Sequence, residues 1–418
     1  MIGSELPKGW KLTKLGNILC RMTNGLNIEQ TDVCSIDSFP ISRIETIANE
    51  KIDFSRVKYC TPSIDQKQKY LLEDGDILFS HINSDKHLGK TAIYKDIEPL
   101  IHGVNLLLLR CNSELYNSGM LNYLLRYYRY TGVFMGIAQR AVNQSSINQK
   151  KLSNLDIPLP PLTEQKQIAE KLDKLFDQIG TIKEASNKIP ELLKNFRQQV
   201  LTYAVTGKLT DSDYESWELK TLDEIAIPKA GYAFKATDFI DNGIQVIRMG
   251  NLYDNKLSLD RNPVFVPENY DTDIIERSRV KRNDILLTLT GTKYKRDYGY
   301  AIKIDTDEVL LLNQRILSLT PLIDPDYLLL VLRSDEFRNQ FFEFETGGVN
   351  QGNVGVKNVM TIKLHIPSPR IQEEIVRRTK ILFNILDNIE RRYNILCEKL
   401  DKLPQALLCK AFKGELIL

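Results

Sequence analysis

Two long stretches of the chain place apolar residues at alternating spacings of four and three. This heptad pattern predicts two long helices, each with one apolar stripe and charged outer faces. It favours packing of the two helices on each other as a coiled coil; the alternative is that each helix only covers the core of its own domain. The stripe positions are Ile168, Leu172, Leu175, Ile179, Ile182, Ser186, Ile189, Leu193, Phe196 and Val200, then Ile375, Thr379, Leu382, Leu386, Ile389, Tyr393, Leu396, Leu400, Leu403 and Leu407.

A proline-rich stretch precedes the first helix, and Thr163 is its expected cap. Pro190 and Pro404 interrupt the two patterns, so we expect each helix to kink or restart there. A helix from Thr163 to Lys188 would be roughly 40 Å long at about 1.5 Å per residue. If the two helices run antiparallel, they carry the flanking domains to opposite ends, related by a pseudo two-fold axis.

The second half of the chain repeats the first at an offset of 207 residues. The only tryptophans, Trp10 and Trp217, open the similar segments WKLTKLGNI and WELKTLDEI. From 142 to 209, 18 of 68 residues are identical to the facing residues, without insertion, whereas the middle of each half matches loosely. A repeat of this length indicates two copies of a domain plus a connector, rather than a solenoid. Matching connectors and differing bodies suggest one common partner surface and two different recognition surfaces.

The bodies of the two copies mix strand and helix patterns. Strands are expected from Asp76, Val104, Ile244 and Asp284, and helices at YLLRYYRY from Tyr123 and YLLLVLRS from Tyr327. The fold class is therefore α+β: two globular α/β domains separated by two long antiparallel coiled-coil helices in a pseudo two-fold internal repeat. The predicted segments are 1–157 (first domain), 158–210 (first helix region), 211–364 (second domain) and 365–418 (second helix region).

Composition excludes several classes of protein. The 56 Lys and Arg nearly balance the 54 Asp and Glu, so any nucleic-acid surface must be local. No leader pattern or run of about 18 apolar residues occurs, so we expect a cytoplasmic protein with no membrane partner. The six cysteines and four histidines lack zinc-ligand spacing, which favours structural thiols and no metal site.

The sequence also lacks recognisable catalytic motifs. The segment SDKHLGKT from Ser84 imitates a phosphate-binding loop, but Ser84 replaces the first glycine and the second copy has no counterpart. NPVF from Asn262 lacks the second proline of an amino-methyltransferase tetrad. We therefore expect no catalytic residue in this chain.

Polar loops of different sequence follow matched strands in both copies, as in SHINSDKHLGKT and TGTKYKRDYGY. Their Lys, Arg, Asn and Gln side chains are those that reach phosphates and base edges of DNA, although any single one can be an ordinary solvated residue. The expected phosphate contacts are Lys86, Lys90, Lys293, Lys295 and Arg296. The expected base-edge contacts are Arg43, Asn83, Arg140, Gln144, Arg248, Asn251 and Gln351.

In layout, the chain resembles the specificity subunit of type I restriction-modification systems. The resemblance rests on PKGW from Pro7, IPLPPLTEQKQI from Ile157 and AVTGKL from Ala204, with HIPSPRIQEEI from His365 and AFKGEL from Ala411 in the second copy. It implies two target-recognition domains that each read half of a bipartite double-stranded DNA site. It also implies that the helices dock two modification (methyltransferase) subunits, and that restriction (translocase/endonuclease) subunits join them.

The same resemblance implies that this subunit is itself non-catalytic and holds no cofactor. S-adenosylmethionine, ATP and Mg²⁺ would be bound by the partner subunits. In the second copy Ile371 and Ser368 depart from the pattern, so we expect a less tightly defined helix start there. A spacer of about 40 Å or more would separate the half-sites by roughly one turn of B-DNA or slightly further.

Two other functions stay open at this point. A nuclease or helicase component with its own active site would use Lys90 of the GKT segment in ATP hydrolysis. A purely architectural coiled-coil adaptor would need only the two apolar stripes, and exchange of one domain body would leave its activity unchanged.

Overall fold

A computed structural model describes residues 6–95, 98–141, 144–348 and 350–416. The chain divides into two compact units. Unit 1 comprises Met1–Ser186 with Ile395–Leu418, and unit 2 comprises Asn187–Asn394. The boundaries fall within the two predicted helix regions, so each unit contains one globular body and part of both regions.

Unit 1 begins with a short strand and alternates strands with helices before the first long helix. Its helices are α1 Ile64–Tyr70, α2 Ser118–Tyr130, α3 Val133–Ile137, α4 Gln149–Ser153 and α5 Leu162–Ser186. Its strands are β1 Lys11–Lys14, β2 Leu19–Asn24, β3 Phe39–Ile41, β4 Lys58–Cys60, β5 Ile77–Phe79, β6 Ile82–Asn83, β7 Thr91–Ile93, β8 Leu107–Cys111, β9 Gln139–Ala141, β10 Gln144–Ser146 and β11 Asp156–Leu159. Single 3₁₀ turns lie at Leu15–Ile18, Glu45–Ile47 and Phe54–Arg56.

Unit 2 contains the same kinds of element. Its helices are α6 Ile189–Val205, α7 Leu222–Ile225, α8 Thr272–Ser278, α9 Pro325–Arg333, α10 Asp335–Glu343 and α11 Val356–Met360, while α12 Pro369–Phe412 contributes residues to both units. Its strands are β12 Glu218–Thr221, β13 Ala226–Ala230, β14 Ile244–Ile247, β15 Leu252–Tyr253, β16 Lys256–Leu257, β17 Phe265–Val266, β18 Arg279–Val280, β19 Ile285–Thr288, β20 Thr290–Gly291, β21 Ala301–Lys303, β22 Leu310–Leu312, β23 Ile316–Pro321, β24 Gly352–Asn353 and β25 Lys363–Ile366. Its 3₁₀ turns lie at Tyr214–Ser216, Ala236–Asp238 and Met249–Asn251.

The two units share a four-stranded sheet and a two-stranded ribbon. An antiparallel four-stranded sheet has the order β2-β8-β5-β7 in unit 1 and β13-β23-β19-β21 in unit 2. A two-stranded ribbon pairs β1 with β11 in unit 1, and β12 with β25 at an offset of 207 in unit 2. The predicted strands are observed as β5, β8, β14 and β19 and the predicted helices as α2 and α9, and the internal repeat is confirmed. The α+β class follows from these antiparallel sheets with helices packed against them.

Each unit has its own apolar core. In unit 1, Leu107, Leu109 and the α2 leucines pack with Ile168 and Leu172 of α5. In unit 2 the corresponding core combines the sheet with α9 and α10 and with Ile375 of α12. The first turns of both long helices are therefore part of domain cores. Covering of a domain core was the alternative to the coiled coil in the sequence analysis, and it applies to these first turns.

The long helices also run antiparallel within each unit. In unit 1, Lys183 of α5 forms an ion pair with Asp401, and Lys171 donates to the carbonyl oxygen of Leu416. In unit 2, Arg197 of α6 pairs with Asp387, while Arg378 donates to the carbonyl oxygen of Leu209. In both units the residue numbers fall along one helix as those of their contacts rise along the other. The helices are therefore antiparallel, as predicted.

The apolar stripes are only partly covered in this chain. Ile168, Leu172 and Ile179 are buried in unit 1, as are Ile375 and Leu386 in unit 2. Leu175, Ile189 and Leu382 are half-buried, whereas Ile182, Ile389 and Leu396 are exposed. The covered and uncovered stripe positions thus alternate along the helices.

The two prolines act differently. Ser186 ends α5, and α6 begins at Ile189 with Pro190 in its first turn, so the predicted restart is confirmed. At Pro404 the helix does not restart, because α12 runs through this residue without interruption, and the alternative expectation of a kink stays a prediction. Proline costs one helical hydrogen bond, and burial of Leu400, Leu408 and Phe412 on either side offsets that loss.

A buried glutamine fixes the start of each long helix. Gln165 Nε2 donates to the carbonyl oxygen of Pro160, and its Oε1 accepts from the backbone N–H of Asn117. Gln372 makes the same two contacts at the same offset, with Pro367 and Asp324. Both helices consequently begin at equivalent residues, so the expected looser start of the second helix is wrong.

The departure at Ile371 has a different consequence. Trp10 Nε1 donates to Oε1 of Glu164 at 3.0 Å in unit 1. Ile371 stands where Glu164 would face Trp217, and Trp217 Nε1 is buried without a hydrogen-bond partner. The second copy therefore lost one tryptophan contact and kept the helix start.

Candidate nucleic-acid interface

The polar loops emerge from one end of the shared four-stranded sheet, β2-β8-β5-β7 in unit 1 and β13-β23-β19-β21 in unit 2. In unit 1, β5 ends at Phe79 opposite Leu107, and in unit 2, β19 ends at Thr288 opposite Ile316. The loop residues at this end of unit 1, 80–90, 139–141 and 144–146, are called polar edge 1. Those of unit 2, 289–300, 313–315, 345–348 and 350–353, are called polar edge 2. The sheet, rather than sequence proximity, brings these loops together.

Polar edge 1 contains a small three-stranded sheet, β6-β10-β9. Ser145 of β10 lies between Asn83 of β6 and Arg140 of β9 in register, and Gln144 is the next residue. The structure therefore brings together three of the predicted base-edge residues, which are 83, 140 and 144. Val142 and Asn143, which belong to the same predicted stretch, lie outside the described residues.

Polar edge 2 is joined in the matching way. Thr290 of β20 pairs with Asn353 of β24, and Lys293 Nζ donates to the carbonyl oxygen of Gly347 at 2.9 Å. Gln351 is exposed immediately before β24. The predicted phosphate contact Lys293 and the predicted base contact Gln351 thus come from loops that lie side by side, while Val349 lies outside the described residues.

Arg43 and Arg248 occupy equivalent positions. Each follows a short strand, and its backbone N–H donates to a side chain three residues later: to Thr46 Oγ1 for Arg43 and to Asn251 Oδ1 for Arg248. The Arg43 side chain lies 3.6 Å from Glu45, and Arg248 donates to the carbonyl oxygen of Asn262 at 2.7 Å. The sequence identified both arginines, and the structure gives them the same backbone setting.

Arg248 lines an open cleft of about 450 Å³ in unit 2. Arg261 and Arg315 line the same cleft together with Asn262, Asn313 and Gln314, and none of the described residues that line it is acidic. Arginine forks and amide groups are the side chains that bind phosphates and purine edges bidentately. The cleft is therefore suited to an anionic, hydrogen-bonding ligand such as DNA.

Two predicted contacts serve the protein's own structure. Asn251 is 2 % exposed, and its Nδ2 donates to the carbonyl oxygens of Ser258 and Arg261. Lys90 Nζ donates to the carbonyl oxygen of Ala48 at 2.5 Å, and burial lowers the pKa of this ammonium. Asn251 is buried with both amide hydrogens used, and half-buried Lys90 turns its ammonium to a backbone carbonyl of its own unit, so we omit both from the interface.

The other predicted phosphate contacts are on the surface. Lys86 and Lys295 are exposed. Arg296 is also exposed and is held by Asn339 Oδ1 at 3.2 Å. Arg140, Gln144 and Gln351 are exposed as well, so these six side chains are accessible to a DNA backbone or groove.

The sequence pattern did not single out Arg261 or Arg315, which line this cleft beside Arg248. Arg315 lies in NQRILSL, which the repeat aligns with GVNLLLL of the first copy, so its place just before a strand of the sheet could have identified it. Arg261 had no such signal, because the fold brings it to Arg248 and Arg315 from a separate loop.

Neither a metal centre nor a membrane span is found in the described residues. No group of three or more His, Cys, Asp or Glu side chains among them could hold a metal ion. None of the helices in that part of the chain is both long and apolar enough to cross a bilayer.

Comparison with known proteins gives one consistent family. The model for the type I restriction modification DNA specificity domain matches twice, at residues 7–191 and 214–397. The putative type I restriction enzyme MjaX specificity subunit of Methanocaldococcus jannaschii is 32% identical over 97% of this chain and 93% of its own length. The type I restriction enzyme EcoKI specificity subunit of Escherichia coli K12 is 25% identical over 100% of this chain and 91% of its own length.

Solved structures agree in fold. A chain from a study of complex assembly and conformational transition of the type I R-M system has a TM-score of 0.70 at 18% identity, covering 99% of this chain and 100% of that one. The HsdS subunit from Thermoanaerobacter tengcongensis has a TM-score of 0.67 at 17% identity, covering 99% and 100%. With two domain matches over most of its length, the chain belongs to the type I restriction-modification DNA specificity family.

Proposed function

We propose that the chain is the non-catalytic DNA specificity subunit of a type I restriction-modification enzyme. Each unit reads one half of a bipartite site in double-stranded DNA through its own polar edge, to which unit 2 adds the cleft lined by Arg248, Arg261 and Arg315. The observation that carries this proposal is that matched loops with different side chains meet at the same end of the same sheet in both units. A common frame with different loop chemistry is what two readers of different half-sites require.

The interface residues divide by chemistry. Arg248, Arg261 and Arg315 around one cleft have the fork geometry for guanine edges or phosphates. Asn83 and Gln144 at polar edge 1 have the amides that pair with adenine edges. Exposed Lys86, Lys295 and Arg296 supply charge to the phosphate backbone and make binding dependent on salt.

Partner subunits would supply the catalysis. In unit 2, exposed apolar side chains at Leu192 and Phe196 of α6 and Ile381 and Ile385 of α12 resemble a helix surface that another chain covers. In unit 1, a groove of about 790 Å³ beside α5 contains aromatic side chains, including Phe176. We propose that two methyltransferase subunits dock on the helices, with restriction subunits joining them in the cytoplasm, and that S-adenosylmethionine, ATP and Mg²⁺ bind to those partners.

The test is to map modified adenine in genomic DNA of the source cell with and without this gene. A split, asymmetric methylated motif that disappears on deletion supports the proposal. Exchange of residues 211–364 for the corresponding body of another family member should change one half of the motif and leave the other intact. Unchanged methylation in both experiments, with the partner genes expressed, would refute it; an architectural adaptor would also be unaffected by the exchange.

A further inference from the structure

Polar edge 2 carries an exposed aromatic ring at its tip. Tyr294 is 79 % exposed, and its backbone lies in the left-handed region with a φ of 66°. Arg296, two residues later, has a φ of 51°. Non-glycine residues rarely adopt this conformation, and two of them in one short loop hold backbone strain of the kind found at functional sites.

The loop is anchored on both sides of this tip. Thr292 N–H donates to Asp297 Oδ1 at 2.7 Å, and buried Tyr298 donates to Glu345 Oε1 at 2.7 Å. Lys293 is fixed to the loop at Gly347 and holds its Nζ 5.0 Å from the Tyr294 ring. The Tyr294 ring therefore projects from a preformed turn, so little ordering is required when it meets a ligand.

The first unit has no equivalent ring. Gly89 and Gly299 end the two loops in the same way, since their N–H groups donate to the carbonyl oxygens of Ser80 and Thr288. The segment 288–299 is two residues longer than 80–89, and residues 80–90 contain no Phe, Tyr or Trp. The extra length and the exposed ring are properties of unit 2 alone.

We propose that Tyr294 inserts its ring at a base step of the half-site that unit 2 reads, and unstacks that step. The inference rests on the proposed function and adds a distortion of the DNA to it. Lys293, Lys295 and Arg296 attract phosphates to the tip. Every base has a flat face, so an aromatic ring can stack on any of the four bases. An exposed ring on a strained, anchored turn among cations is suited to such a wedge.

The experiment uses the full chain in complex with its methyltransferase partner and duplexes that carry the mapped methylation motif. 2-Aminopurine, an adenine analogue that pairs with thymine, replaces one adenine at a time in and beside both half-sites, and its fluorescence rises where it loses a stacking neighbour. We expect a rise at one step of one half-site with the wild-type chain. Tyr294→Ala removes that rise and weakens binding about tenfold, whereas Tyr294→Phe retains both.

Two internal controls separate the wedge from other causes. Flipping of the target adenine by the partner gives its own signal, which stays in every variant. Tyr203→Ala removes another exposed tyrosine of unit 2, which lies on α6 with Lys208 Nζ 5.7 Å away, and leaves the unstacking signal unchanged. Tyr294→Gly removes the ring, so we expect the unstacking signal to be lost. Because glycine adopts the left-handed conformation without strain, Tm should not fall.

The outcomes are distinguishable. Sequence-specific binding with an unstacking signal that survives Tyr294→Ala overturns the wedge and leaves the proposed function intact. Loss of binding in Tyr294→Phe as severe as in Tyr294→Ala also overturns it, because the hydroxyl rather than the ring would then make the contact. Absence of sequence-specific binding by the wild-type complex would instead contradict the proposed function itself.

Discussion

The glutamine at the start of each long helix should be among the most sensitive positions in its unit. Gln165 is fully buried and makes three hydrogen bonds, to Asn117 N–H and to the carbonyl oxygens of Pro160 and Leu115. Gln165→Leu keeps the volume and leaves all three backbone groups without a partner. At about 1 kcal/mol for each bond, we expect unit 1 to lose roughly 3 kcal/mol of unfolding free energy.

Gln372→Leu is the matched change in unit 2. Gln372 makes two such bonds, with Asp324 and Pro367, so its replacement should cost roughly 2 kcal/mol. Gln178→Leu is the control, because Gln178 is on the exposed side of α5 and should change stability by less than about 0.5 kcal/mol.

The two tryptophans make the assay specific to each unit. Trp10 is buried in unit 1 and Trp217 in unit 2, so Trp217→Phe leaves a fluorescence reporter of unit 1 alone, and Trp10→Phe leaves one of unit 2. With a urea slope of about 2 to 3 kcal/mol per molar, Gln165→Leu should lower the unit 1 midpoint by roughly 1 M. Equal midpoints for Gln165→Leu and Gln178→Leu, or a larger loss from Gln372→Leu, would refute the reasoning.

Three further predictions follow from individual contacts. Arg110→Met leaves the fully buried Asp76 carboxylate without its ion pair and should cost unit 1 about 3 to 5 kcal/mol in the same urea titration. Burial lowers the pKa of His102 to about 4, below its usual 6.5, so unit 1 should lose roughly 2 kcal/mol as the pH falls from 7 to 5. His102→Gln should abolish that loss, and an unchanged pH slope would contradict the assignment. In filter-binding or anisotropy measurements, Arg248→Ala should relax one base position by about 1 to 3 kcal/mol, whereas Lys295→Ala should weaken all sequences alike and reduce the salt slope by about 1; identical effects of the two variants would count against the division of roles.

The local pattern of the sequence determined the framework of the fold. The spacing of apolar residues predicted the long helices and the strands of each body, because helix and strand periodicity depends on residues close together in the chain. The fixed offset of 207 residues gave the duplication, and the structure repeats it down to Gln165 and Gln372, which bond to partners at that offset. The break at Pro190 was predicted, whereas the continuation of α12 through Pro404 was not, because burial of residues on either side decides whether a helix survives the lost donor.

Tertiary structure decided which polar residues face solvent and which meet each other. Asn251 and Lys90 are of residue types that often contact DNA, yet both turn inward and donate to backbone carbonyl groups of their own units. Arg261 and Arg315 are distant in sequence and line one cleft, because sheet pairing brings their loops to the same place. Side-chain direction and long-range pairing depend on contacts between distant segments, and residue spacing alone carries no information about them.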